Sequence, residues 1–403
     1  MFYLAYQSHA DFMVPVRTLA SLAATVIGPP FSENLGIVRN LTAAYELIAR
    51  AGLTHDRPPF EIDTVMVGNR EVAVREEAVQ ATPFGTLLHF KKDVDVAQPR
   101  VLLVAPLSGH FATLLRGTVE TMLADNDVYI TDWHNVRDVA LSNGQFGFND
   151  YIQHLIDFLE IIGPGAHVVA VCQPCVAALV ATTVMAQSQH PAQPRSMTLM
   201  AGPIDTRVNP TKVNDLANSK PISWFEQNLI ATVPMRFPGA FRRVYPGFVQ
   251  LAAFMTMNID RHLKAHKDLY ENLRDGEIAK AEVIKTFYDE YFAVLDLTAE
   301  FYLETVRLVF QENALPLGKL KWHGEPVEPR AIRRTMLLTV EGERDDICAV
   351  GQTMAAHVLC GGLRPYLRRH HMQAGAGHYG VFSGQRWTNQ IYPILRNVIL
   401  SSE

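Results

Sequence analysis

The stretch HVVAVCQPCVAALVATTVM, His167 to Met185, decides the fold. Its opening run does not alternate, the mark of a strand buried on both faces, and the run after Pro174 is apolar on nearly every side, the mark of a helix packed against a sheet. Between them stands CQPC. Three chemistries use such a placement: a redox dithiol, half of a metal site, or a nucleophile held at the turn from strand to helix.

On either side the same rhythm continues. RVLLVAP (100–106) and DVYITDW (127–133) are solid apolar runs, each followed by a helical pattern, ATLLRGTVETMLADN and FNDYIQHLIDFLEIIG. SMTLMAG (196–202) follows the central helix. Strand alternating with helix at this spacing predicts βαβ units in a doubly wound, mostly parallel α/β sheet. Ahead of it lie three short strand-like pieces, FEIDTVMVG, REVAVREEAV and GTLLHFKK. Residues 1–57 read as irregular structure and helix, with ENLGIVRNLTAAYELIARAG periodic as a helix and stopped at Gly52.

From about Asp205 the alternation stops, and a helical, aromatic- and methionine-rich segment runs to Glu325. The α/β rhythm then resumes with RTMLLTVEGERDDI, a helix over VGQTMAAHVLCGGL, and a last strand near RRHHMQAGAGHYGVF. The expected organisation is an α/β core formed by 1–204 and 326–403, with 1–57 as an N-terminal helical extension. Residues 205–325 form a helical cap inserted between the sixth and seventh core strands.

Composition narrows the function. A net charge of −5 provides no basic face for nucleic acid. Four cysteines among 403 residues are too few for a disulfide scaffold. The opening residues lack a basic start and a clear cleavage site, and no uncharged run is apolar over the roughly 20 residues of a bilayer span. The chain therefore reads as a cytoplasmic protein without a transmembrane segment.

A thioredoxin-like dithiol lacks its context here, because the motif sits in the third unit of a longer series and has no Trp before the first Cys. A structural zinc site needs four ligands, and Cys348 and Cys360 do not pair at a suitable spacing. HLKAH (His262, His266) lacks the Glu of a metalloprotease helix. The nucleophile reading fits better: Ala170 supplies a small side chain two positions before Cys172, and Pro174 is tolerated in a first helical turn. A thiol at a helix N-terminus, next to an imidazole, is disposed to ionise. Cys175 is then helix packing.

Such a nucleophile gains meaning only if an acid and a histidine follow it, each after a late strand. Asp345, preferred to Asp346, stands in the turn after MLLTVEG, and His378 stands in the glycine-rich loop MQAGAGHYGVFSG. The oxyanion hole would use the backbone N–H of Gln173 and that of Leu107 or Ser108, in the loop VAPLSGH. His110 lies in the same loop, as a pocket or an ordinary loop residue.

With VCQP, GERDD and GAGHYGVFSG in this order, and with MFYLAYQ, TDWHNVRDV and FGFNDYI, nearly the whole chain resembles the intracellular polyhydroxybutyrate depolymerases. It is more distantly similar to the polyhydroxyalkanoate synthases. The resemblance implies an α/β-hydrolase fold, a Cys172–His378–Asp345 triad, and an acyl-thioester route to cleavage of amorphous poly((R)-3-hydroxybutyrate) on storage granules. Water or coenzyme A would be the acyl acceptor, and no metal or cofactor is required. The synthases carry Gly-x-Cys-x-Gly where this chain has Ala170 and Pro174, which favours a depolymerase. A synthase-type acyltransferase and a granule-coating protein with a vestigial site are the alternatives. Trp224, Phe237, Phe241, Tyr245 and Phe248 in the cap are the expected polymer-binding residues, unless they form the cap's own core.

Overall fold

A computed structural model describes residues 2–31, 36–257 and 259–403. Two helices open the chain, α1 (Phe2–Phe31) and α2 (Gly36–Arg50). Where the sequence predicts irregular structure, α1 is one long helix, and no charge other than Asp11 and Arg17 interrupts it. The predicted start of the second helix, around Glu33, lies outside the described residues.

Nine strands then build one sheet: β1 (Thr64–Val67), β2 (Arg70–Ala81), β3 (Gly85–Lys92), β4 (Arg100–Val104), β5 (Asp127–Trp133), β6 (His167–Val171), β7 (Ser196–Met200), β8 (Met336–Gly342) and β9 (Arg368–Gln373). Their spatial order is β1-β2-β3-β5-β4-β6-β7-β8-β9. The chain enters as an antiparallel meander and becomes parallel from β5 to β9. The swap of β4 and β5 and the single antiparallel entry define the α/β-hydrolase fold, with β1 added at its edge.

Burial on both faces explains the unalternating runs. Leu102 and Val104 face one apolar layer, and Val101 and Leu103 face the other, all without solvent exposure. On one side pack α4 (Phe148–Ile162) and α5 (Cys175–Gln187). On the other lie α3 (Arg116–Leu123) and the C-terminal helix Tyr392–Ser401. α5 buries residues all round its axis, which is why its sequence shows no polar stripe.

Between Met200 and Met336 the chain leaves the sheet. It forms α6 (Lys212–Asn218), α7 (Ile222–Leu229), α8 (Gly247–Met257), α9 (Ile259–Asp275), α10 (Ile278–Tyr291) and α11 (Ala299–Thr305). A small antiparallel sheet of Ala231–Thr232, Arg243–Tyr245 and Leu297–Thr298 joins these helices. The segment is tied back to the body. Leu295 N–H donates to the Gly109 carbonyl at 3.0 Å, and the buried Asp296 accepts from Gly247 N–H at 2.9 Å and from the Tyr3 hydroxyl at 2.6 Å.

The predicted helix over 350–363 is a correction: the structure has turns there and a single helical turn, Ala356–Leu359. Gly351 takes φ +99°, and the buried Glu341 carboxylate on β8 accepts the N–H groups of Gly351, Thr353 and Met354. A side chain from the sheet thus takes the donors that a helix would have used.

Candidate active site

β6 ends at Val171, and the next residue, Cys172, adopts φ +68°. This left-handed conformation costs a non-glycine residue roughly 1–2 kcal/mol and is kept where the surroundings enforce it. They do so here. Cys172 N–H donates to the Met200 carbonyl at 2.7 Å, and Cys175 N–H donates to the Cys172 carbonyl at 3.1 Å, closing the turn into α5. Close approach needs small neighbours: Ala170 is fully buried, and a Cβ on Gly202 would stand 3.1 Å from the Cys172 carbonyl oxygen. Gly202, on the neighbouring strand end, is a small residue of this turn that sequence analysis missed.

The strand-to-helix turn leaves the Cys172 side chain partly accessible while Cys175 is fully buried. The Cys175 thiol leans on the Ala170 and Met200 carbonyls, and burial pushes its pKa well up. It is a protonated packing group. Cys348 and Cys360 are buried thiols raised in the same way. Among the described residues no three His, Cys, Asp or Glu side chains gather as metal ligands.

Past β8, Asp345 is buried while Asp346 is exposed. One Asp345 oxygen accepts the N–H groups of Ile347 (2.9 Å) and Cys348 (2.8 Å). The other stands 2.8 Å from His378 Nδ1. A carboxylate only accepts, so Nδ1 donates and Nε2 is left for the Cys172 sulfur, with which the imidazole is hydrogen-bonded. Burial alone would lower the His378 pKa. The Asp345 carboxylate and the Cys172 sulfur outweigh it and hold the pKa well above the usual imidazole range.

The loops fit together through backbone. Arg344 N–H donates to the Ala376 carbonyl at 2.8 Å, and a Cβ on Gly342 would come 2.7 Å from the same oxygen. The Asp345 and His378 loops are thereby locked edge to edge.

Among the described residues the backbone N–H groups of Gln173, Leu107 and Ser108 donate no hydrogen bond. Their loop is fixed from below by Ala105 N–H to Thr131 Oγ1 (2.9 Å) and Trp133 Nε1–H to the Ala105 carbonyl (3.1 Å). From above it is fixed by Leu295 and by Gly109, whose φ of +98° lets it pass Gln250. Fixed, unpaired donors are what an oxyanion requires. His110 is buried in the same loop between Tyr291 (5.1 Å) and Phe254 (5.9 Å), and burial lowers its pKa to about 4, so the ring is neutral.

A narrow cleft of about 20 Å³ lies beside the triad, lined by Phe254, Met257, Phe287, Tyr291, Ile347 and Tyr379 together with Arg261 and His262. Tyr379 meets the His378 ring edge-on at 5.8 Å. Apart from His262 and Tyr379, which follows His378 directly, nothing in the spacing pointed to these residues.

The five expected polymer-binding residues lie elsewhere, and among the described residues none lines this cleft. Tyr245 is buried and stacks on Tyr302 at 3.8 Å. Phe248 is covered by Tyr6, stacked at 3.8 Å, and Phe237 lies under the guanidinium groups of Arg137 (4.5 Å) and Arg236 (5.3 Å). Trp224 is half-buried against Phe225. Only Phe241 is well exposed.

The family described as PHB de-polymerase C-terminus matches residues 201–403, half of the chain, including Asp345 and His378. Among solved structures, the 2-hydroxy-6-oxo-6-phenylhexa-2,4-dienoate hydrolase from Rhodococcus sp. strain RHA1 is 11% identical, with a TM-score of 0.43 over 82% of this chain and 99% of that one. A thermophilic esterase from Thermogutta terrifontis is 14% identical, with a TM-score of 0.41 over 81% and 98%. No match was found among curated protein sequences.

Proposed function

The chain belongs to the PHB depolymerase family, whose chemistry is carboxylic ester hydrolysis, and from that premise we propose that it cleaves amorphous poly((R)-3-hydroxybutyrate) on storage granules in the cytoplasm. The observation that carries the reading is the chain of contacts Cys172, His378, Asp345 at a strained strand-to-helix turn.

His378 Nε2 takes the Cys172 proton, and the thiolate attacks the ester carbonyl carbon, forming the C–S bond. The carbonyl oxygen becomes an oxyanion facing the N–H groups of Gln173 and Ser108 or Leu107. As the C–O bond breaks, the imidazolium returns its proton to the departing alkoxide, which leaves as a hydroxyl-ended chain. His378 next deprotonates a water. The resulting hydroxide attacks the thioester, a carboxylic acid departs, and the sulfur recovers its proton. Asp345 keeps Nδ1 protonated throughout, so that Nε2 is always the atom that exchanges the proton. The aromatic side chains beside the triad suit contact with the methyl and methylene groups of such a polymer.

Brief exposure to amorphous polymer followed by mass spectrometry tests this: a hydroxybutyryl adduct on Cys172 is the expected result. Absence of polymer cleavage and of any adduct would refute it. Running the assay with and without coenzyme A separates water from a thiol as the acceptor.

A further inference from the structure

α1 leaves a long apolar stripe facing solvent. The face turned to the protein carries its polar anchors. The Tyr3 hydroxyl donates to Asp296, Tyr6 is 2.9 Å from His55, Asp11 pairs with Arg236 at 2.5 Å, and the Arg17 guanidinium lies against Gly52. The face turned to solvent carries Leu4, Phe12, Val16, Leu19, Leu22 and Val26, all exposed and recurring at helical spacing as one stripe. Phe12, Leu19 and Val26 are 73%, 67% and 67% exposed. α2 extends the patch with Ile37 and Leu41. A folded monomer does not leave so continuous an apolar face without a partner.

We propose that this stripe is the surface by which the enzyme adsorbs to the solid polyester. The inference rests on the depolymerase reading above. Two observations select the occupant. The first is continuity: Phe2, Tyr3 and Tyr6 of α1 pack on Phe248 of α8, and the far end of α8 supplies Phe254 and Met257 to the cleft. The helix that carries the stripe therefore rests on the element that walls the active site. The second is charge. Helices that lie on bilayers carry Lys or Arg beside the apolar face to meet anionic headgroups. α1 has no Lys, its one Arg is turned inward, and the chain carries a net charge of −5. An uncharged aliphatic polyester is the complementary surface. Although Phe2–Ile27 is long and apolar enough to cross a membrane by length and composition, its anchors, spread over four turns, hold it along the protein body.

The test compares the wild-type protein with Leu19→Glu/Leu22→Glu and, as a milder pair, Leu19→Ser/Leu22→Ser. Three quantities are read: pelleting with amorphous poly(3-hydroxybutyrate) particles, cleavage of those particles, and cleavage of a soluble hydroxybutyrate dimer. The expected result is dimer cleavage within about twofold of wild type, with particle adsorption and particle cleavage both falling about tenfold or more in the Glu pair, because a charge resists leaving water. Unchanged adsorption in both variants overturns the proposal and leaves the depolymerase reading standing. Wild-type protein that cleaves neither particles nor dimer refutes the depolymerase reading itself, independently of α1. Tighter binding to phosphatidylglycerol vesicles than to particles assigns the stripe to lipid, and loss of a dimer in the variants with adsorption intact assigns it to a second copy. Either result overturns the proposal.

Discussion

A methyl group added at Gly202 would stand 2.1 Å from Cys175 Cβ and 2.4 Å from its sulfur. The two residues share space that admits only one side chain, directly beneath the turn carrying Cys172. Gly202→Ala is therefore expected to destabilise the protein by about 1–3 kcal/mol and to depress ester cleavage by shifting Cys172. Thermal unfolding and a soluble-ester assay on the same preparation check both effects. Equal stability would show that Cys175 can step aside.

Thiol reactivity should separate the cysteines. Cys172 is the partly accessible one, bonded to an imidazole, whereas Cys175, Cys348 and Cys360 are buried and their pKa values raised. Iodoacetamide should modify one thiol in the native protein and all four after denaturation. Inactivation should parallel the first. Cys172→Ala should abolish ester cleavage, while Cys175→Ala keeps most of it. Equal loss in both would return the pair to a dithiol.

The Asp345–His378 contact has a defined pH signature. Because the His378 pKa is raised on folding, its contribution to stability is fully present below about 6.5, the unfolded imidazole value, and is lost as pH rises through the higher folded value. Asp345→Asn removes the largest of the attractions that raise it. The cost, on the order of 3 kcal/mol for a broken buried pair, should be greatest near pH 6 and shrink toward alkaline pH. Activity should fall on the order of a thousandfold, since Nδ1 no longer has to carry the proton. Urea titrations across pH check the slope.

Asp296 predicts a dependence of the same sign in a more acidic window. Burial raises its carboxyl to about 6 despite the bonds from Tyr3 and Gly247. An acid whose pKa rises on folding stabilises the protein below its unfolded value near 3.9 and loses that contribution as pH climbs through about 6. Asp296→Asn should flatten this part of the stability profile. A slope unchanged between pH 4 and 6 would assign it to another group.

Much of this was readable in the residues. The runs at Arg100–Val104, Asp127–Trp133, His167–Val171 and Met336–Gly342 announced buried strands because both faces of each are apolar, and their order placed the Cys172, Asp345 and His378 turns at one sheet edge. What stayed hidden depends on partners distant in sequence. The 350–363 segment has a helical pattern, but Glu341 claims its N–H groups from the sheet. α1 leaves a stripe of large apolar residues exposed, so periodicity could not say which face was inward. The cleft aromatics come from helices without a marked register, and only the tertiary arrangement singles out Phe254 and Tyr291 from Tyr245 and Phe248.

The direct pairing of β7 with β8 bears on how the nascent chain matures. Residues 1–200 can assemble seven strands as they leave the ribosome, but β7 then ends the sheet with an open edge whose residues are all buried in the finished fold. That edge stays uncovered while residues 201–335 are translated, until Met336–Gly342 arrives and aligns Leu338 with Thr198. Docking of β8 also delivers the Asp345 turn, so the step that ends this aggregation-prone interval during synthesis brings the acid to the site.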